Sequence, residues 1–301
     1  GHPPPEDRRS TLHAMSIVDP FGVMETSANV ASMKALEESE EARDAMIVLA
    51  ADVHLDQPAT LTALRTLFEG FLAVDSVPAM VVLAGNFSSK PFGQYPGDRD
   101  EFRKRFDALA DLIAAYPAIA TATHFVLVPG PHDPGAARVL PRQSIPPYFV
   151  SRLLDPAIVA RVTITTNPCR IRFFTQELVF FRADLSTRLR RRAIVPPLPP
   201  PPDKELHEHM IRTVIDQAHL CPLPLSVQPV YWAYDYALRL TATPDVLVVA
   251  EDGDPYEFEY SSAFVLNPGS FGADTAFMVY RPATREAEQS YIRPPAAAAF
   301  T

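Results

Sequence analysis

Three apolar runs of strand length constrain this chain more than any other feature: Ala45-Met46-Ile47-Val48-Leu49-Ala50-Ala51, Ala79-Met80-Val81-Val82-Leu83-Ala84 and His124-Phe125-Val126-Leu127-Val128. None alternates with polar residues, which is the pattern of a strand covered on both faces. Segments with helical apolar spacing separate them. Pro58 suits a first turn and precedes Leu61, Leu64, Leu67, Phe68, Phe71 and Leu72; the second segment carries Phe102, Phe106, Leu109, Leu112 and Ile113. Strand-helix units in series predict a mainly parallel sheet with right-handed crossovers. In such sheets sites form outside the carboxyl ends of the strands. Each run here ends in polar or turn-forming residues: Asp52-Val53-His54-Leu55-Asp56, Gly85-Asn86 and Pro129-Gly130-Pro131-His132-Asp133.

From about Arg161 the rhythm changes. Short β-rich runs at Val162 to Thr165, Arg170 to Phe174 and Leu178 to Phe181 lead into an arginine-rich segment, Arg182 to Arg192. A proline-rich loop at 195–202 must be extended and cannot enter a sheet interior. A helix is expected from Asp203 to about Ala218, and strands of a second sheet at Asp245 to Val249, Ala263 to Leu266 and Ala276 to Tyr280. This divides the chain into residues 1–43, a tail or remnant of an upstream element, a domain over 44–285, and a C-terminal tail over 286–301.

Composition excludes several classes. Hydrophobic residues make up 47% of the 301, so global disorder is excluded although prolines number 32. Two cysteines, Cys169 and Cys221, cannot staple a chain of this length, and reduced intracellular thiols are expected. No apolar run approaches the roughly 20 residues of a membrane span, and GHPPPEDRRS has no signal-peptide core. The chain opens on Gly rather than Met and reads as processed or as a piece of a longer protein. With 27 Lys+Arg against 36 Asp+Glu, the net charge of −9 argues against non-specific nucleic-acid binding as the main activity. Arg103, Lys104, Arg105 and Arg188 to Arg192 leave a local basic face open, with a solvated helix end as the other reading of the second group.

Asp52-Val53-His54, Gly85-Asn86 and Gly130-Pro131-His132-Asp133 resemble the opening motifs of the calcineurin-like metallophosphoesterases. Two metal ions a few ångströms apart need a bridging carboxylate, with His and Asn completing the shells. Here Asn86 stands at the bridging position, and Pro131, with no donor atom, stands where an Asn ligand belongs. The family's late His-containing motif should follow Val246-Leu247-Val248-Val249, where Ala250-Glu251-Asp252-Gly253 is found instead. The resemblance therefore implies a degenerate metal site made of Asp52, His54, Asn86, Pro131, His132 and Glu251, with no catalytic residue and no cofactor. Asp52 and His54 read either as a single weak metal site or as an ion pair at a strand end, and His132-Asp133 as a structural turn. The alternative function is an active or single-metal phosphoesterase.

A second resemblance is more specific. Phe87-Ser88-Ser89, Val128-Pro129-Gly130-Pro131 with Asp133-Pro134-Gly135, Thr165-Thr166-Asn167-Pro168-Cys169-Arg170-Ile171, Pro222-Leu223-Pro224-Leu225, Pro229 to Arg239 and Asn267-Pro268-Gly269-Ser270-Phe271 are similar, in order, to the second (B) subunits of DNA polymerase epsilon. His54 departs from that family, which often has an aromatic residue there. The resemblance implies an α/β four-layer α/β/β/α sandwich with mixed sheets, of inactive phosphoesterase type over 44–285, and an upstream OB-type domain of which 1–43 is a remnant. It further implies a nuclear, non-catalytic accessory subunit supporting chromosomal replication and its initiation. The implied partners are the cysteine-rich C-terminal region of the catalytic subunit and, through N-terminal parts, the replicative helicase complex (CMG/GINS); DNA is met mainly indirectly, and no membrane is involved. Tyr231, Trp232, Tyr234 and Tyr236 carry large rigid side chains of the kind interface cores favour, and core and interface both remain open for them.

Overall fold

The computed structural model describes residues 27–135, 138–192 and 206–292. The proline-rich loop 195–202 lies outside them, as do residues 1–26 and the chain from 293 onward. Two helices open the described chain, α1 (Ser27–Glu37) and α2 (Glu40–Arg43). Residues 27–43 are thus more than a bare tail: Ala42 is buried, and Thr175 Oγ1 donates to Glu37 Oε2 at 2.6 Å.

The three apolar runs form β1 (Ile47–Ala51), β2 (Met80–Ala84) and β3 (His124–Val128). Between them run α3 (Pro58–Ala73), α4 (Asp98–Ala114) and α5 (Pro117–Ala122). Proline in the first turn suits α3 and α5, because the missing N–H has no intrahelical acceptor there. Asp98, Asp100 and Glu101 place negative charge in the first turn of α4, against its positive dipole end. Next come β4 (Arg161–Ile164), β5 (Cys169–Phe173) and β6 (Gln176–Arg182), then α6 (Leu185–Arg192) and α7 (Leu206–Asp216). A 3-10 helix, Trp232–Leu238, leads to β7 (Val246–Ala250), β8 (Tyr256–Tyr260), β9 (Ala263–Asn267), α8 (Phe271–Asp274), β10 (Ala276–Arg281) and β11 (Glu286–Tyr291).

The strands form two mixed sheets, ordered β11-β10-β1-β2-β3-β4 and β5-β6-β7-β9-β8. The interior of each is parallel, and antiparallel strands close the edges except at β4. Successive side chains of the continuous apolar runs point to opposite faces, and each face has its own core. Val48, Val81, Leu83 and Phe125 pack with Leu64, Phe68, Phe106 and Ile113 beneath α3 and α4. Ile47, Leu49, Val82 and Val126 meet Phe180, Val246, Val248 and Leu266 between the sheets. Val179, Phe181, Leu247 and Val265 pack against Met210, Ile211, Val214 and Ile215 of α7. Each such fully buried side chain contributes roughly 1.5–3 kcal/mol. The expected four-layer α/β/β/α sandwich is what forms.

Two expectations are corrected, and one strand whose sheet the sequence left open is placed. The strand at Ala276–Arg281 belongs to the first sheet, where Ile47 pairs with Tyr280 and Leu49 with Met278. A doubly buried strand has the same pattern in either sheet, so local sequence does not choose its neighbour. The domain does not end at 285, because all six residues of β11 pair with β10; Glu286, Glu288 and Gln289 lie on an exposed edge strand with no apolar run to mark it. Lastly, β4 joins the first sheet beside β3 despite the change of rhythm near Arg161. Among the described residues no helix is long and apolar enough to cross a membrane.

Candidate functional site

Parallel pairing in register sets Ala51 opposite Ala84 and Ala84 opposite Val128, so the loops that follow β1, β2 and β3 meet. Asp52 leaves β1 in left-handed backbone geometry, φ 54°, a region Asp tolerates better than most residues. Its Oδ1 accepts from the Asn86 backbone N–H at 3.1 Å and from Asn86 Nδ2 at 3.0 Å. At its other end the Asn86 amide accepts the backbone N–H of His132 through Oδ1, at 2.8 Å. Both polar atoms of that amide are therefore spent clamping loops together.

The loops approach too closely for any side chain at two glycines. A Cβ on Gly130 would lie 2.6 Å from Asn86 Oδ1, and one on Gly85 would lie 2.0 Å from Asp133 Oδ2. Buried Asp133 accepts from the backbone N–H groups of Gly130 at 2.7 Å and Phe87 at 2.8 Å. Burial pushes its carboxyl up to about 7, against the pull of those amides and of Arg142. The structural-turn reading of His132-Asp133 fits these bonds, and Asp133 is the residue that makes them.

Arg182, the last residue of β6, is 2% exposed and fills the centre of the cluster. Its Nη2 donates to Asp52 Oδ1 at 2.8 Å, Nε to the Gly85 carbonyl at 2.9 Å, and Nη1 to Asp184 Oδ1 at 2.6 Å and the Ala250 carbonyl at 3.3 Å. Burial opposes its charge, but Asp52 and Asp184 outweigh burial and hold it more firmly protonated than an ordinary arginine. The cation paired with Asp52 is thus Arg182, and the expected pairing with His54 is corrected. His54 lies against Gly272, where a Cβ would come within 2.4 Å of Nδ1. Burial lowers the His54 pKa, despite Asp52 and Asp56, and favours the neutral ring. Nδ1 of His54 and Nδ1 of His132 are both buried without a hydrogen-bond partner.

Glu251 turns away from the cluster. Its carboxylate accepts from Ser186 Oγ at 2.6 Å, the Ser186 N–H at 3.1 Å and the Tyr256 hydroxyl at 3.2 Å, closing the first turn of α6. Among the described residues no group of three or more His, Cys, Asp or Glu side chains could hold a metal ion. The donors do not fit a two-metal centre: Asp52 is committed to a guanidinium, Asn86 to two loops, Pro131 has no donor and Glu251 faces α6. Behind Arg182, an apolar gap between the sheets lined by Leu49, Val82, Val128, Phe180 and Val248 measures about 10 Å³, at the limit of one water molecule. A much larger groove, about 620 Å³, lies elsewhere, between α3 and the β10–β11 edge.

Cys169 and Cys221 are buried free thiols, each pushed up to about 11 by burial, well away from reactive thiolates. His207 stacks on Tyr256 with ring centroids 4.1 Å apart, while Glu208 pairs with Arg212, so His207, Glu208 and His209 form no cluster.

The aromatic segment lies on the surface. Trp232 is 73% exposed and Tyr234 55%, and Tyr231 and Tyr236 are exposed as well, so the core reading fails for all four. What the segment buries is Leu238 and Leu240. It is nonetheless held firmly: the Tyr231 N–H donates to the Leu140 carbonyl at 2.7 Å, Leu220 N–H to the Leu238 carbonyl at 2.8 Å, and Asp235 pairs with Arg239 at 2.8 Å. Of the basic residues, Arg103 lies over the Tyr148 ring, Lys104 pairs with Glu101, Arg105 donates to Ser88, and Arg188 donates to Gln228. Arg190, Arg191 and Arg192 are exposed at the end of α6.

Sequence reasoning missed Arg182, which it placed at the head of an arginine-rich stretch. The available signal was an arginine ending the apolar run Leu178 to Phe181, because a charge at a buried strand end requires a buried counter-charge.

The profile of the family of DNA polymerase alpha/epsilon B subunits matches residues 47–266. The DNA polymerase epsilon B subunit of Arabidopsis thaliana is 37% identical over 292 residues, covering 97% of this chain and 55% of that protein. DNA polymerase epsilon subunit 2 of Homo sapiens is 38% identical over 294 residues, covering 97% and 54%. The chain therefore spans about half the length of the curated relatives it matches. Among solved structures, an archaeal phosphodiesterase aligns at 12% identity with a TM-score of 0.41, over 82% of this chain and 99% of that one.

Proposed function

The chain belongs to the family of DNA polymerase alpha/epsilon B subunits, and from that premise we propose that it acts as a non-catalytic accessory subunit of DNA polymerase epsilon. It binds the cysteine-rich C-terminal region of the catalytic subunit, works in the nucleus, and supports chromosomal replication and its initiation. The observation that carries the non-catalytic part is the Arg182 guanidinium on Asp52 Oδ1 at 2.8 Å, with the neighbouring amide and carbonyls turned inward on the same cluster. A group that must ligate metal or activate water needs free lone pairs facing substrate. Here Asp52 Oδ1 and the Gly85 and Ala250 carbonyls face a buried cation. Contact with the replicative helicase complex is assigned to parts of the longer subunit upstream of this chain, and contact with DNA to the polymerase partner.

The docking surface is the ledge of Tyr231, Trp232, Tyr234 and Tyr236. Aromatic side chains exposed on a backbone that is already ordered lose little entropy on binding, which is how interface anchors work. The test is co-purification of the chain with the C-terminal region of the catalytic subunit; failure to co-purify removes the proposal. Hydrolysis of bis(p-nitrophenyl) phosphate in manganese, abolished by His132→Ala, would instead favour the phosphoesterase reading of the strand-end cluster.

A further inference from the structure

Oxygens from four chain segments converge on one side chain. They are Asp52 Oδ1 after β1, the Gly85 carbonyl after β2, Asp184 Oδ1 after β6 and the Ala250 carbonyl at the end of β7, at 2.8, 2.9, 2.6 and 3.3 Å from nitrogens of Arg182. Two carboxylates and two carbonyls form a donor set of the kind that holds hard cations. Without a cation the cage would turn two like charges toward each other and leave two carbonyls unsatisfied. A guanidinium meets the demand with a fixed charge and a planar fork of N–H donors, here using Nε and both terminal nitrogens.

The position of the cage gives it a mechanical role. Asp52 and Gly85 belong to the carboxyl ends of the first sheet, and Arg182 and Ala250 to those of the second. The guanidinium therefore bolts the two sheets together at the edge where their loops meet. Asn167 buttresses it from behind, its Oδ1 accepting the Arg182 backbone N–H at 3.1 Å and its Nδ2 donating to the Arg182 carbonyl at 2.7 Å.

We propose that Arg182 is a tethered resident cation: it occupies a cation cage between the carboxyl ends of the two sheets, makes the fold independent of divalent metal, and conceals a latent cation site that its removal uncovers. The proposal rests on this geometry alone and stands or falls apart from the polymerase assignment. With Arg182 cut back to alanine, the cage keeps two carboxylates and two carbonyls and gains room for a small free cation.

The experiment is thermal unfolding of the full chain as wild type, Arg182→Ala and Arg182→Ala with Asp52→Asn, each with EDTA, calcium, manganese, methylguanidinium or neutral urea at millimolar concentration. Wild type is expected to move by less than about 1 °C in any of these, a shift worth only a few tenths of a kcal/mol. Arg182→Ala is expected to unfold about ten degrees lower. Methylguanidinium or a divalent ion should return several of those degrees, and urea none. Adding Asp52→Asn should recover part of the loss and abolish the cation response. A wild-type midpoint that falls with EDTA or rises with manganese overturns the proposal, as does an Arg182→Ala chain that responds to no cation or shows no coupling to Asp52→Asn. If Arg182→Ala gives no soluble protein, soluble yield is read instead: recovery with Asp52→Asn supports the cage, and no recovery overturns it.

Discussion

The cluster around Arg182 and the ledge around Trp232 are opposites. The first gathers residues with rich chemistry, three aspartates, two histidines, an asparagine and an arginine, and turns the aspartate, asparagine and arginine side chains on one another and on the backbone of the loops. The second presents four large rings with little chemistry, and most of each is in solvent. Asp52 and Asn86, at positions resembling a metal site, hold loops together, and rings that by residue type could be core lie on the surface. A buried charge survives only by being paired, so once Arg182 enters the cluster it closes it. Several large rings exposed together on ordered backbone are the kind of surface a protein partner covers.

That contrast can be broken most directly by Arg182→Met, which leaves Asp52 buried and unpaired. Chemical unfolding should show a loss of about 3–5 kcal/mol, while Trp232→Ala should change stability by no more than about 0.5 kcal/mol. Similar losses for the two variants would erase the distinction between structure and surface. Next in size is the effect of Trp232→Ala on association. Calorimetric titration against the C-terminal region of the catalytic subunit should weaken by about 2–4 kcal/mol with the thermal midpoint unchanged; an unchanged Kd would move the docking surface elsewhere.

Asp133 sharpens the first half of the comparison through pH. The carboxyl titrates near 3.8 in the unfolded chain and at about 7 when folded, so between these values the folded chain keeps a proton that the unfolded chain has lost. Its stabilising contribution is complete below about pH 4 and is lost as the pH rises through 7, by at most about 1.4 kcal/mol per unit. The stability difference between wild type and Asp133→Asn should accordingly shrink from pH 5 to pH 8. A constant difference would mean that the carboxyl is ionised throughout. The smallest effect expected is from Arg190→Ala on α6, within about 0.5 kcal/mol in unfolding; a larger loss would place that end of the helix in a packed contact.

Much of the fold is legible in the sequence. The runs at Ile47–Ala51, Met80–Ala84 and His124–Val128 became parallel strands because continuous apolar sequence has few alternatives to burial on both faces. The partner of β10 and the existence of β11 were not legible, since one carries the same pattern in either sheet and the other has exposed polar positions at an edge. Within the site, the positions of Asp52, Asn86 and His132 followed from the strand ends. Glu251 did not follow, because its direction depends on Ser186 and Tyr256, which are distant or unremarkable in sequence.

By itself, then, the sequence determined the strand-helix units, the layers they build and the family, because periodicity and ordered motifs belong to single segments. Only the tertiary structure decided that Asp52 is answered by an arginine 130 residues away and that Trp232 faces solvent. A charge partner and a degree of exposure are properties of surfaces that exist only once the sheets have closed on each other.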